Sequence, residues 1–249
     1  MTNKSNFIGN LSINYSNKPV LRSLLQLIPN WGAADELLQY RANEIKNERL
    51  ATFFDELAEG KHELTAELIK TEDFLHCYFS TLRAALNTRQ REKIRFLARL
   101  LDASFSPDIH TTTDEYEELL SVLESITLRE FEVLFDLWSL EQQYPRSNQE
   151  NDLENAWHYW EKFKANSTTK YEISTEGFSA FMAKLERTGL YLRITGGYIG
   201  YEGDIGMTTP MFDRLLIFVR RTDAQSGSRG FFSPSPHTTR HAGPHRAVR

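Results

Sequence analysis

Apolar positions recur at helical spacing through most of the chain. Leu21, Leu24, Leu25 and Ile28 fall at i, i+3, i+4 and i+7 and predict a short helix over 20–28. Pro29-Asn30-Trp31-Gly32 breaks it. Leu38, Ala42, Ile45, Leu50, Phe53 and Leu57 form the stripe of a long helix from about 33 to 58, with Gly60 as its C-terminal stop. Thr71 is placed to cap a helix carrying Phe74, Leu75, Tyr78, Phe79, Leu82 and Leu86. Thr88 is placed to cap the next, which turns Ile94, Leu97, Ala98 and Leu101 inward. Past a loop containing Pro107, Thr112-x-x-Glu115 has the form of a capping box, opening a helix through Leu119, Leu120, Leu123 and Ile126.

A second group begins at Thr127-x-x-Glu130, again a capping-box pattern, followed by Phe131, Leu134, Phe135 and Trp138. Tyr144-Pro145 interrupts, and 150–165 reads as an aromatic helix with Leu153, Trp157, Trp160 and Phe163 on its inner side. Ser174 caps a third helix with Phe178, Phe181, Met182 and Leu185, which ends at Thr188-Gly189-Leu190. The period then changes. Tyr191-Leu192-Arg193-Ile194 alternates as a strand does, Gly196-Gly197 signals a turn, and Tyr198-Ile199-Gly200-Tyr201 is the expected return strand. Met207-Thr208-Thr209-Pro210 starts a last helix through Phe212, Leu215, Leu216 and Val219. Residues 1–19 are rich in Asn and Ser and are expected to be poorly ordered. Residues 221–249 hold Ser, Pro, Gly, His and Arg with almost no aliphatics, the composition of a disordered tail, with a vector-derived or frame-shifted origin left open.

Composition supports a folded chain: 40% of its 249 residues are hydrophobic and 12% aromatic. The formal net charge is −5. Within it, 222–249 carry four arginines and one acid, +3, which leaves −8 for the other 221 residues. An acidic body opposes non-specific binding to phosphate backbones. A single cysteine, Cys77, excludes an internal disulfide. The polar start from Met1 to Asn6 does not read as a secretory leader, so a cytoplasmic, reducing compartment is expected. No run approaches the ~18 apolar residues of a membrane span.

The order helix, helix, helix, two-strand ribbon, helix over 127–220 resembles a winged helix-turn-helix. The residues that carry the resemblance are Leu185-Glu186-Arg187-Thr188-Gly189-Leu190 and Met207-Thr208-Thr209-Pro210-Met211-Phe212-Asp213-Arg214-Leu215-Leu216. Met207 and Phe212 stand where the family's usual pattern has Leu and Gly. In the first half, Glu48-Arg49-Leu50, Phe53-Phe54, Lys93-Ile94, Leu97-Ala98-Arg99-Leu100-Leu101 and Thr127-x-x-Glu130 resemble uncharacterised bacterial helical proteins of the abortive-infection alpha-like, phage-defence-associated kind. That resemblance implies a role in defence and a winged-helix-like end, and brings no active-site residues with it.

Candidate chemistry is sparse. The third helix of the winged unit offers Ser179, Ala180, Ala183, Lys184 and Arg187 as outward positions, with Arg193 on the following strand. Such residues suit a recognition helix in a groove, although Glu176 and Glu186 largely cancel the charge. Arg89, Arg91, Lys93 and Arg95 form the densest basic run outside the tail, either a solvated helix face or a contact for an acidic partner or nucleic-acid backbone. Gly197, Gly200, Gly203 and Gly206 recur every third residue but lack the Gly-Lys-Ser/Thr of a phosphate loop. Cys77 reads as a small buried hydrophobe, and His62, His76, His110 and His158 show no metal-ligand spacing. His237, His241 and His245 recur every fourth residue, but Gly243 and Pro244 oppose a helix there.

The sequence therefore predicts a mainly α protein: a flexible 1–19, a helical bundle over 20–126, a winged-helix-like unit with a small β-ribbon over 127–220, and a tail over 221–249. The expected function is non-enzymatic, with no cofactor, metal or small-molecule substrate. It is a regulatory or protein-interaction role, through a protein partner or self-association, in bacterial phage defence. The alternatives are a DNA-binding winged-helix regulator and a membrane-acting effector through 20–38.

Overall fold

The computed structural model describes residues 11, 13–28, 36–60, 62, 64–145, 150–194 and 204–220, with the backbone alone over 36–43. Nine α-helices and one two-stranded ribbon occur among them. They are α1 Pro19–Gln26, α2 Glu36–Ala58, α3 Glu72–Asn87, α4 Arg91–Ser104, α5 Thr113–Ser125, α6 Leu128–Gln143, α7 Asp152–Lys170, α8 Thr175–Glu186, β1 Tyr191–Arg193, β2 Gly206–Thr208 and α9 Pro210–Val219. A 3-10 turn, Leu68–Lys70, precedes α3. Trp31, the Gly196-Gly197 turn, the strand expected at 198–201 and the tail 221–249 lie outside the described residues.

Local signals set most helix starts. The side chains of Thr71, Thr112, Thr127 and Ser174 each accept a hydrogen bond from the backbone N–H three residues on, which satisfies a donor the helix itself cannot. Thr127 and Glu130 close a reciprocal capping box, and Asn151 with Glu154 forms a second that the residue pattern had not suggested. Thr88 does not cap α4. It ends α3, and Gln90 occupies the α4 N-cap without a side-chain bond.

The inner faces form a continuous core from α1 to α9. In the first half, α4 packs on α2 and α3, and the Tyr78 hydroxyl donates to the Leu24 carbonyl of α1 at 2.8 Å. Residues expected to be poorly ordered before α1 contribute as well: Leu11 and Tyr15 are buried, and the Tyr15 hydroxyl donates to Asp55 at 2.6 Å. Ile45, expected on the inner stripe of α2, is 48% exposed. Trp157 is 45% exposed while Trp160 and Phe163 of the same helix are buried. Residues three apart lie about 60° from each other around a helix, and Trp157 falls just beyond the arc on which Leu153, Ala156, Tyr159, Trp160 and Phe163 are buried.

In the second half, Trp160 packs against Phe163, Phe178 and Tyr191 with ring centroids 5.2, 6.1 and 6.5 Å away. The ribbon is antiparallel, with Tyr191 opposite Thr208, Leu192 opposite Met207 and Arg193 opposite Gly206. Met207 and Thr208 thus belong to the return strand rather than to the start of α9, whose N-cap is Thr209. Gly206 is required there, since a Cβ would collide with the Tyr191 ring and the Leu192 carbonyl. Gly189, at φ +75°, makes the left-handed turn from α8 into β1.

The boundary expected near 126 is crossed by the core. Helix α9 packs on α4, and Phe131 of α6 sits between Phe96 of α4, at 4.8 Å, and Phe212 of α9, at 5.7 Å. Arg99 donates to the Val219 carbonyl at 3.0 Å, and Arg214 donates to Glu115 at 2.6 Å and to the His110 carbonyl at 2.6 Å. Because Phe131 joins both halves, Phe131→Ala is expected to cost about 3–5 kcal/mol. It should lower one shared unfolding midpoint, seen equally by far-ultraviolet circular dichroism and tryptophan fluorescence. Two separate transitions would show that the halves fold independently.

Candidate functional site

The outward face of α8 is the surface the winged-helix order singles out. Helices α7 and α8 are joined by the turn 171–174. The turn is fixed by the Ser174 cap, and by Arg129 of α6, which donates to the Tyr171 carbonyl and lies over the Phe181 ring. Phe178, Met182 and Leu185 hold α8 against the core, leaving Ser179, Ala180, Lys184, Glu186 and Arg187 exposed and Ala183 half-buried.

Lys184 of this face and Arg193 of the adjoining strand are engaged with the protein's own acids. The Lys184 ammonium lies 2.5 Å from Glu130, whose side chain is almost wholly buried. Burial pushes the Glu130 carboxyl up. The bonds from Lys184 and Thr127 outweigh it and hold the group below its usual value. Arg193 lies 3.3 Å from Glu186 and 3.9 Å from Asp204. Ser179 donates to Asp204 at 2.7 Å, which places an acid at the base of the ribbon beside the helix. Arg187, exposed at the C-terminus of α8, makes no ion pair among the described residues.

The ribbon is anchored from behind by α6. Glu141 accepts from the Thr208 N–H at 2.8 Å and from the Thr208 hydroxyl. Burial raises the Glu141 carboxyl above its ordinary value, against the lowering effect of the Thr208 bonds. On the outer side of the ribbon, Leu192 and Met207 face each other across the strands; Leu192 is 53% exposed.

The basic run on α4 lies on a different part of the molecule and divides by role. Lys93 donates to the carbonyls of Glu124 and Ile126 at 2.9 and 2.7 Å, tying α4 to the C-terminus of α5. Arg95 pairs with Glu92 and lies 3.7 Å from the buried Glu56. Arg99 donates to the same carboxylate at 2.7 Å. Arg89 and Arg91 face outward, with Arg91 only loosely matched by Glu48 at 3.8 Å.

Nucleophilic chemistry finds little support in these groups. Cys77 is buried, and that burial, aided by the charges of Asp73 and Glu117, pushes its thiol up to about 11. Neighbouring His76 is turned to Glu117, 2.6 Å away. Among the described residues, no group of three or more His, Cys, Asp and Glu side chains is placed to hold a metal ion. No helix among them is long and apolar enough to cross a membrane. No family model, no curated protein and no solved structure matches the chain.

Two titrations check this electrostatic arrangement. Lys184→Met leaves Glu130 buried without its ammonium, so the variant should be less stable at pH 7. The Glu130 carboxyl is depressed in the folded state, so its contribution is present above the unfolded value near 4.5 and lost as pH falls through the folded one. The difference between Lys184→Met and wild type should therefore shrink in urea titrations taken below that value. Glu141 has the opposite sign. Its raised carboxyl favours the folded state at low pH and opposes it once ionised. Glu141→Gln should be more stable than wild type at pH 7, with the gain disappearing below about pH 4.5; a loss of stability at pH 7 would contradict this account.

Proposed function

We propose that the chain is a non-enzymatic recognition protein whose winged-helix-like unit contacts a protein, either a separate partner or a second copy. Its resemblance to abortive-infection alpha-like proteins gives bacterial phage defence as the setting. The observation that carries this reading is the Lys184–Glu130 pair at 2.5 Å, with Arg193 likewise between Glu186 and Asp204. A helix that reads DNA needs cations free to meet phosphates and base edges. Here the lysine neutralises a buried carboxylate of α6, and withdrawing it would leave that charge unpaired. The Leu192–Met207 pair on the outer ribbon supplies an apolar contact surface of the kind found at the centre of protein interfaces.

A DNA-binding regulator is the second reading. It is favoured by exposed Arg187 and by the small residues Ser179, Ala180 and Ala183 on the outward side of α8. Under the first reading, a photo-crosslinking residue at position 192 should capture protein in the bacterial cell, whereas one at exposed Glu172 should not, and the protein should show no affinity for duplex DNA at low salt. Under the second, duplex binding should appear at low salt, fall steeply as salt rises, and be lost in Arg187→Glu. Arg187 is the better probe because Lys184→Glu would also disturb Glu130.

A further inference from the structure

Two adjacent grooves flank the contact of α2 with α4, and their charge differs. One, of about 590 Å3, is lined by Arg91, Arg95 and Arg99 against Asp55, Glu56 and Glu59, so its charges balance. The other, of about 330 Å3, is lined by Arg49, Arg89 and Arg91 with Glu48 as its one acid, together with Ile45, Thr52 and Ile94. Arg49 is fixed by donating one nitrogen to the Leu86 carbonyl, and its remaining N–H groups are left for the groove. Glu48 lies 3.8 Å from Arg91, beyond hydrogen-bond length. Arg89 makes no ion pair among the described residues. Three arginines against one acid leave this concavity with an excess of positive charge, and an anion seated among them offsets it while meeting planar donor forks suited to phosphate oxygens.

We propose that this α2–α4 groove binds the phosphate of a small organic phosphate monoester of about mononucleotide size. Arg49, Arg89 and Arg91 receive the phosphate, Thr52 offers a hydroxyl, and exposed Ile45 forms an apolar shelf for the organic part. The volume lies at the lower end of the range for small-molecule sites. The exposure of Ile45, unexpected for the inner stripe of α2, fits a position beside a ligand. The site is separate from the α8 and ribbon surface, so its existence does not depend on what that surface contacts.

Isothermal titration of the full chain with inorganic phosphate and with AMP, at 150 mM sodium chloride, tests the proposal. AMP should bind, and more tightly than phosphate. The double variant Arg89→Gln/Arg91→Gln should weaken AMP by about tenfold or more, the scale expected on losing two charge-assisted donors. Both side chains are exposed, so this variant should keep the wild-type melting temperature. Arg83→Gln, an exposed control outside the groove, should bind as wild type does. Equal affinity for phosphate and AMP would overturn the role of the Ile45 shelf. Absence of binding by either probe, or binding that is unchanged in the double variant, would overturn the site. A single-stranded oligonucleotide that binds far more tightly than AMP, and loses that affinity in the double variant, would replace the small ligand with a nucleic-acid backbone.

Discussion

The packing of α9 against α4 is the constraint on which the rest of the architecture depends. The face of α4 that carries Phe96 draws cover from beyond helices α1 to α5. Phe131 of α6 and Phe212 of α9 supply it, and the Arg99 bond to the last carbonyl of α9 fixes where that helix ends. A cation at a helix C-terminus also meets the negative end of the helix dipole. With α9 so placed, the ribbon before it must return beside α6, where Thr208 meets Glu141. The orientation of the outer ribbon thus follows from a core contact made elsewhere.

Charge is organised from the inside outward. Glu56 and Glu130 are buried acids and Glu141 a partly buried one, and each is answered by a group from another element: Arg99, Lys184 and Thr208. A buried carboxylate left without such a partner is strongly unfavourable. Basic residues are therefore retained by the fold before they are available to a ligand, and this separates α8 from α4. On α8 the engaged cations leave an almost neutral surface beside an apolar ribbon pair. On α4 the same logic takes Lys93, Arg95 and Arg99, and leaves Arg89, just before the helix, outside it.

Much of the secondary structure was legible because its signals are local. The Thr71, Thr112, Thr127 and Ser174 caps act within three residues of themselves, and the apolar spacing of α3 to α6 reports one face of each helix. Errors arose where the deciding partner is distant in sequence. Tyr15 is ordered by Asp55, 40 residues on. Met207 and Thr208 read as the start of the last helix, yet they belong to the segment paired with β1, because the register is set by cross-strand bonds and by Glu141, 67 residues before Thr208. Lys184 looked like a surface cation since Glu130, already explained as a capping residue, gave no sign of a second role. The imbalance of charge in the α2–α4 groove was equally hidden: Arg49 lies on α2 and Arg89 in the link between α3 and α4, and only packing brings them to one concavity.

The Arg99–Val219 bond joins residues 120 positions apart. Synthesis runs from the N-terminus at about 5–20 residues per second, so α4 emerges well before the helix that covers it. During that interval the surface of α4 on which α9 packs lacks that cover. The nascent first half is then a candidate client for a chaperone, and the last helix acts as the step that ends this exposure.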